Sequence, residues 1–371
     1  MPSRTFAPVL PPEVVVVTGA NGFIAQHCIA ALLHQGYTVI GTVRSQAKAT
    51  AVRHVHAQDP RLTLIVVEDM TSPDAYLSQL QPFSPSAILH LASPFTYSTT
   101  HYDRDLMAPS VRGATALLTA ASLLPSVRRV VQTNSFACIY DPSAGARPGK
   151  TYSELDWSPL TYADGAHAPD APTAYRASKT VAERAALQFM RDRRPRFDLV
   201  SLCPGMVFGP FLARAVPSSV GGLNTSNGLV HAVVCPAGGH DDDDDAASAA
   251  GGAAALPPTR APVWVDVRDV ADAHVRSLQR GEAGGGRFLL AAGVYCNQEV
   301  ADEARRVVAK GNRLGKGRIP LGEPGRREAH LHYGVDARSA EEVLGMRWRA
   351  LGECLGELVP QLYEMEQGGG P

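Results

Sequence analysis

Val14-Val15-Val16-Val17-Thr18-Gly19-Ala20-Asn21-Gly22-Phe23-Ile24-Ala25 is the stretch whose reading decides the fold. Four consecutive valines put β-branched side chains on both faces of a strand, the composition of a buried central strand in a parallel sheet. Gly19 and Gly22 then permit a turn and close backbone approaches that a Cβ would obstruct. From Phe23 onward, Ile24, Ile29, Leu32 and Leu33 recur at helical spacing. Strand, glycine turn and helix in this order aim free N–H groups at the loop, which suits a dinucleotide pyrophosphate. The spacing is G-x-x-G-x-x-A, not G-x-G-x-x-G. A structural turn explains many glycine pairs, and it is the strand before and the helix after that favour a nucleotide here.

The next segments extend the pattern. Tyr37 to Val43 reads as a second strand that ends at Arg44, with Ser45 beside it and Lys48 one helical turn on. In dinucleotide folds this strand end faces the adenosine ribose, where an acid accepts a 2′-hydroxyl and an arginine suits a 2′-phosphate. No Asp or Glu stands between Gly36 and Gln58, so the expected cofactor is NADP(H). Leu62 to Val67 predicts a third strand, followed by Asp69 and Met70. Asp69 accepts from an adenine amino group or caps the helix that Pro73 begins, and the sequence leaves both open. Ala87 to Ala92 predicts a fourth strand leading into Ser93, with His90 as a core histidine. A helix over 106–124 and a strand over 127–133 continue the alternation. The expected architecture is an α/β, Rossmann-type doubly wound parallel sheet with its ligand beyond the carboxyl ends of the strands.

Composition narrows the function classes. The 371 residues carry Lys+Arg 35 against Asp+Glu 36, a formal net charge of −1. That balance supplies no general basic field, which argues against nucleic acid as a partner. Cys28, Cys138, Cys203, Cys235, Cys296 and Cys354 are scattered, with no C-x-x-C pair, which fits a reducing compartment. Residues 1–13 hold four prolines and no signal-like apolar run, and no stretch of about 18 apolar residues follows. The expectation is a soluble cytoplasmic protein, monomer or homodimer, with no membrane partner and a loose tail over 1–13.

The catalytic constellation lies further along. Thr133-Asn134-Ser135-Phe136 falls at the carboxyl end of the fifth strand, making Ser135 the candidate hydroxyl. Forty residues later an alanine-rich helix carries Tyr175 and Lys179 at i and i+4, on one face. A phenol with a pKa near ~10 is a poor acid–base group at neutral pH, and an ammonium one turn away favours its ionised form. Tyr-x-x-x-Lys alone is common by chance. Its position after the strand-glycine-helix unit and Ser135 gives it weight.

Thr18 to Ala25, Ser135, Tyr175 and Lys179 resemble the extended short-chain dehydrogenase/reductase family, whose members include NAD-dependent epimerases and dehydratases. His90-Leu91-Ala92-Ser93-Pro94-Phe95, Cys203-Pro204-Gly205-Met206-Val207-Phe208-Gly209-Pro210 and the run from Val265 to His274 are similar to its branch of dihydroflavonol reductases and fungal methylglyoxal, aldehyde and ketone reductases. The likeness spans residues 12 to 366. It implies NADPH-dependent reduction of a small-molecule aldehyde or ketone, with Ser135 polarising the carbonyl, Tyr175 protonating it and Lys179 holding cofactor. It further implies cofactor contacts from Thr18, Gly19, Asn21, Gly22, Phe23, Ile24, Arg44, Lys48, Asp69, Met70, Leu91, Ala92, Ser93, Thr133, Pro204 and Val207. Many family members carry a relay asparagine in the long helix, which Pro109-Ser110-Val111-Arg112-Gly113 lacks.

The remaining expectations concern the second half. A sixth strand over 197–203 closes a cofactor domain of residues 14–204, to which 262–292 returns. A smaller substrate-side domain takes 205–261 and 293–366, including a low-complexity insertion over 236–261 with five aspartates, Asp241 to Asp245. Those aspartates imply no fixed ligand geometry, and no metal site is expected. Asp266 and Asp269 read as caps of the helix from Val270. Phe95, Phe136, Tyr140 and Met206, with Trp264, are expected near the substrate cleft, whose apolar character favours a hydrophobic carbonyl compound. Two other functions remain in view. A sugar-nucleotide epimerase or dehydratase calls for an acid where Arg44 stands. A non-catalytic NADP sensor has no need of Ser135, Tyr175 and Lys179 together.

Overall fold

In a computed structural model, residues 7–93, 99–236, 256–311, 319–327 and 329–368 are described. The chain opens with β1 (Val14–Thr18), α1 (Phe23–His34), β2 (Thr38–Val43), α2 (Gln46–Val55), β3 (Leu62–Val66), α3 (Pro73–Leu80), β4 (Ala87–His90), α4 (Ala108–Ser122) and β5 (Arg129–Thr133). It continues through β6 (Thr151–Tyr152), α5 (Tyr162–Ala166), α6 (Ala171–Arg193), β7 (Asp198–Pro204), β8 (Met206–Phe208) and α7 (Thr225–Val234). The last elements are β9 (Val263–Asp266), α8 (Val267–Gln279), β10 (Arg287–Leu290), β11 (Gly293–Val294), α9 (Asn297–Gly311), β12 (Gly334–Val335), α10 (Arg338–Leu344) and α11 (Leu351–Gly368).

The main sheet has seven parallel strands in the order β10-β7-β5-β4-β1-β2-β3. The chain winds outward from β1 to β3, then returns to β4 on the other side of β1 and winds the opposite way. The crevice lies where that direction reverses, above the ends of β1 and β4. The valines of β1 account for its central place: Val15 and Val17 enter the core shared with α1 and α8, while Val16 enters the core shared with α3 and α4. All three are fully buried.

The second core gathers Phe208, Trp264 and Tyr295 with apolar residues of α7, α9 and α11. It is bridged to the main sheet by a small sheet ordered β11-β9-β8. Along β9, Val265 joins the first core and Trp264 the second, the two-residue period of a strand serving two bodies. Three boundaries differ from expectation. β9 pairs in the small sheet, while α8 and β10 pack with the large one. From the segment assigned to the substrate side, α10 sends Ala340 and Leu344 into the first core. Residues 7–13 are docked: Val9 is fully buried, its N–H donates to Leu278 O at 2.9 Å, and Glu13 pairs with Arg128 at 2.8 Å. Within the expected insertion, residues 237–255 lie outside the described residues.

Two buried ion pairs fasten the sheet. Arg129 of β5, about 1 % exposed, holds Asp198 of β7 through two bonds of 2.7 and 2.6 Å, and it also donates to the carbonyls of Ser277, Arg280 and Gly281. Glu183, one turn after Lys179 on α6, accepts from Arg287 of β10 at 2.9 and 3.0 Å and from Ser201 of β7 at 2.5 Å. The second pair locks the helix that carries Tyr175 against the sheet. Among the described residues, no helix is long and apolar enough to cross a membrane.

Candidate active site

The glycine turn behaves as its sequence requires. Gly19 sits at φ +66°, and a Cβ there would stand 3.0 Å from Ala92 Cα. The turn after β1 and the end of β4 thus approach too closely for a side chain. Thr18 lies beneath them: its hydroxyl accepts from Leu91 N and Ala92 N at 3.1 and 3.0 Å and lies 2.9 Å from His90 Nδ1. With its lone pairs engaged by two amides, the hydroxyl donates to Nδ1, which leaves the ring proton on Nε2. His90 is buried and its pKa is pushed down to about 3, by burial first and by the charge of Lys179 second, so it stays neutral. It is the core histidine its strand pattern predicts, and Thr18 is a strut under the turn.

Two chambers meet at this turn, sharing Gly19, Gly22, Leu91 and Ser93. The inner one, about 510 Å³, is lined by Phe23, Ile24, Thr133, Ser135, Tyr175, Lys179, Pro204, Met206 and Val207. The outer one, about 610 Å³, is lined by Asn21, Arg44, Lys48, Asp69, Met70 and Ala92. Together they bring nearly every proposed cofactor residue to one continuous crevice. Arg44 and Lys48 flank the start of α2, where Ser45 caps Lys48 N at 3.4 Å and no acid occupies the first turn. Two cations at a helix N-terminus suit a phosphate group. Asp69 accepts from Thr71 N and Thr71 Oγ1 at 2.8 and 2.7 Å, and Ser72 caps α3 in its place.

The inner chamber holds the reactive groups. Asp170 caps α6 by accepting from Thr173 N at 2.7 Å, and the buried alanines 174, 177, 182 and 186 seat the helix. Tyr175 and Lys179 then face the chamber together, with Lys179 Nζ donating to Ser93 Oγ at 2.9 Å. Burial pulls the Lys179 pKa below the ordinary lysine value, and the Glu183 carboxylate is among the groups that oppose this. Ser135 Oγ accepts from Ala137 N at 3.1 Å, which leaves its own proton for a ligand acceptor. The loop after β8 is pinned from two sides: Asn227 Nδ2 donates to Gly209 O at 2.9 Å, and His27 Nε2 to Pro210 O at 2.9 Å.

The lining of the inner chamber differs from the sequence reading. Met206 lines the chamber. Phe136 and Tyr140 do not; they stack at 5.2 Å and pack with Tyr152 and Tyr333 in a separate aromatic core. Trp264 stacks on Phe208 in the second core. Phe95 lies outside the described residues. The same chamber is lined by Leu223-Asn224-Thr225-Ser226, leading into α7, which sequence reasoning missed. A polar triplet opening an apolar helix is the one signal that could have pointed there. Asp269 is not a cap: it accepts from Arg349 N at 2.8 Å and pairs with its guanidinium, while Asp266 caps α8 through Arg268 N at 2.8 Å.

The glycine at φ +66° gives a sharp test. Gly19→Ala is expected to raise the dissociation constant for NADPH at least about tenfold and to cost about 1–2 kcal/mol of stability, since an alanine in the left-handed region is strained. Fluorescence titration and denaturant unfolding read the two effects; unchanged binding would show that the cradle is not used.

Comparison with known proteins agrees with this geometry. Residues 15–227 match the model of the NAD dependent epimerase/dehydratase family. The chain is 32% identical to the NADPH-dependent methylglyoxal reductase GRE2 of Saccharomyces cerevisiae over 365 residues, covering 95% of this chain and 98% of that protein. It is 34% identical to the ketoreductase azaE of Aspergillus niger over 355 residues, covering 94% and 97%. The crystal structure of yeast methylglyoxal/isovaleraldehyde reductase Gre2 complexed with NADPH superposes with a TM-score of 0.83 at 32% identity, covering 96% of this chain and 99% of that one.

Proposed function

The chain belongs to the NAD dependent epimerase/dehydratase family, and from that premise we propose that it is an NADPH-dependent oxidoreductase that reduces an aldehyde or ketone to the alcohol. The observation that carries the residue roles is one crevice joining Arg44 and Lys48 at one end to Ser135, Tyr175 and Lys179 at the other. NADP(H) fits it: the glycine cradle leaves room for a pyrophosphate, and the outer chamber offers two cations for a 2′-phosphate. When bound, NADPH supplies the hydride.

The chain's own residues do the rest. Ser135 donates a hydrogen bond to the substrate carbonyl oxygen and polarises it. Tyr175 donates the proton that this oxygen takes up. Lys179 favours the phenolate left behind by its charge and holds the nicotinamide ribose. Met206 and Leu223 offer apolar contact, and Asn224 to Ser226 offer polar groups beside it, which suits a compact carbonyl compound with an apolar substituent. The six buried cysteines, with no C-x-x-C pair among them, support a cytoplasmic setting.

The test is NADPH oxidation, followed by its absorbance, against 2-oxoaldehydes, aryl ketones and β-keto esters, with NADH in parallel. Turnover with preference for NADPH is expected. NADPH binding without turnover on any member would favour a sensor, and NAD retained through purification would favour an epimerase. Arg44→Glu is expected to lower the NADPH-to-NADH preference by about 10- to 100-fold, because a charge-assisted hydrogen bond contributes about 1.5–3 kcal/mol. An unaltered preference would move the 2′-phosphate site away from this strand end.

A further inference from the structure

At the end of α7 away from the inner chamber, three metal-ligating side chains converge. His231 and Cys235 are i and i+4, and the Cys235 N–H donates to His231 O at 2.8 Å, so one helical turn stacks the two residues. α11 brings Glu366 beside them, with its Oε1 2.9 Å from His231 Nε2. One ligand atom from each residue, nitrogen, sulfur and carboxylate oxygen, lies within 4.8 Å of the other two. No short motif announces the cluster, because Glu366 stands 135 residues beyond His231. The packing behind it holds the three in place. Val233 and Val234 of α7 lie with Leu358 and Leu362 of α11 in the second core, and Tyr363 Oη donates to Val234 O at 3.1 Å.

We propose that His231, Cys235 and Glu366 bind one divalent cation of the Zn2+ class, which clamps the end of α7 to α11. The donor set selects the class: a thiolate, an imidazole nitrogen and a carboxylate suit Zn2+, whereas Mg2+ and Ca2+ take oxygen ligands. Bonds of about 2.0 to 2.3 Å to a tetrahedral ion put its ligand atoms about 3.4 to 3.6 Å apart. The 2.9 Å pair and the 4.8 Å limit bracket that range, so side-chain shifts of about 1 Å complete the site. The side chains of His231 and Glu366 are 14% and 21% exposed, which gives the ion an entry path and a water the fourth position. Three protein ligands and one exchangeable position make a site that loads and empties, unlike a closed four-ligand structural zinc.

On binding, the ion replaces the hydrogen bond between His231 and Glu366 with a bond from each, and Cys235 joins as its thiolate, its proton passing to solvent. α7 runs ten residues, about 15 Å, from the chamber to this cluster. The ion is therefore remote from the reacting carbonyl and acts by fastening a helix whose other end lines the chamber.

Co2+, which adopts the same geometry and reports it by absorption, is the probe. Titrated into the full chain after EDTA treatment and dialysis, it should give a near-ultraviolet thiolate-to-metal band and intense visible bands that saturate at one ion per chain. Zn2+ should displace it and raise the unfolding midpoint. Cys235→Ser should abolish the thiolate band, and Glu366→Gln, which keeps the shape of a partly exposed side chain, should weaken Co2+ binding at least about tenfold. Metal-free circular dichroism separates a lost ligand from a lost fold, and if one variant misfolds the other decides. A thiolate band that survives Cys235→Ser, or undiminished Co2+ affinity in Glu366→Gln, overturns the site. So does binding without any thiolate band, the signature that oxygen ligands such as Asp241 to Asp245 would give. None of these readouts depends on whether the chain reduces a carbonyl.

Discussion

Tyr175→Phe is expected to lower kcat for carbonyl reduction by about 10²–10⁴-fold, the range in which a positioned proton donor contributes. The substitution removes one oxygen from a side chain that sits on a capped, well-packed helix, so the fold has no reason to change. NADPH binding should stay within about threefold of wild type, because the charges and amides of the crevice are untouched. The pairing of these outcomes is what discriminates. A loss of turnover with binding retained assigns the proton to Tyr175. If kcat survives, another group protonates the alkoxide and the assignment fails; if binding collapses as well, the tyrosine is a structural wall of the chamber.

The second large effect is on stability. Arg129→Ala is expected to destabilise the protein by about 3–5 kcal/mol, the cost of leaving one partner of a buried ion pair alone. Asp198 would keep its charge in a site where it is about 5 % exposed, and the carbonyls of Ser277, Arg280 and Gly281 would lose their donor. These groups join β5, β7 and the end of α8, so the loss should spread through the sheet edge. Urea unfolding measures it. Replacing both Arg129 and Asp198 with apolar residues of similar size should recover only part, since the three carbonyls remain without a donor. A single variant within about 1 kcal/mol of wild type would mean that water reaches the pair.

Much of the cofactor half was legible because its signals are local. The valine run, the glycine turn and the helix after it are contiguous, and each has its own period or conformational demand. Arg44 and Lys48 follow a strand end by position alone, and Tyr175 and Lys179 share a helix face by spacing alone. The substrate half was not legible in the same way. Phe136 and Tyr140 are aromatic residues close to Ser135 in sequence, which made them plausible walls of the cleft. The backbone after Ser135 turns in a short 3-10 helix and sends them into contact with Tyr333, nearly two hundred positions later. Nothing near them in the chain announces that partner.

The sequence by itself determined the doubly wound sheet, the crevice over its carboxyl ends and the residues that would carry cofactor and proton. Each depends on interactions within one strand, one turn or one helix face, where neighbours in the chain are neighbours in space. Only the tertiary structure decided which side chains line the inner chamber and that Arg129 and Asp198 lock two strands. Those depend on segments separated by 69 to nearly 200 residues being packed into contact. Such distances are set by how helices and sheet close around a shared core, and no periodicity along the chain encodes them.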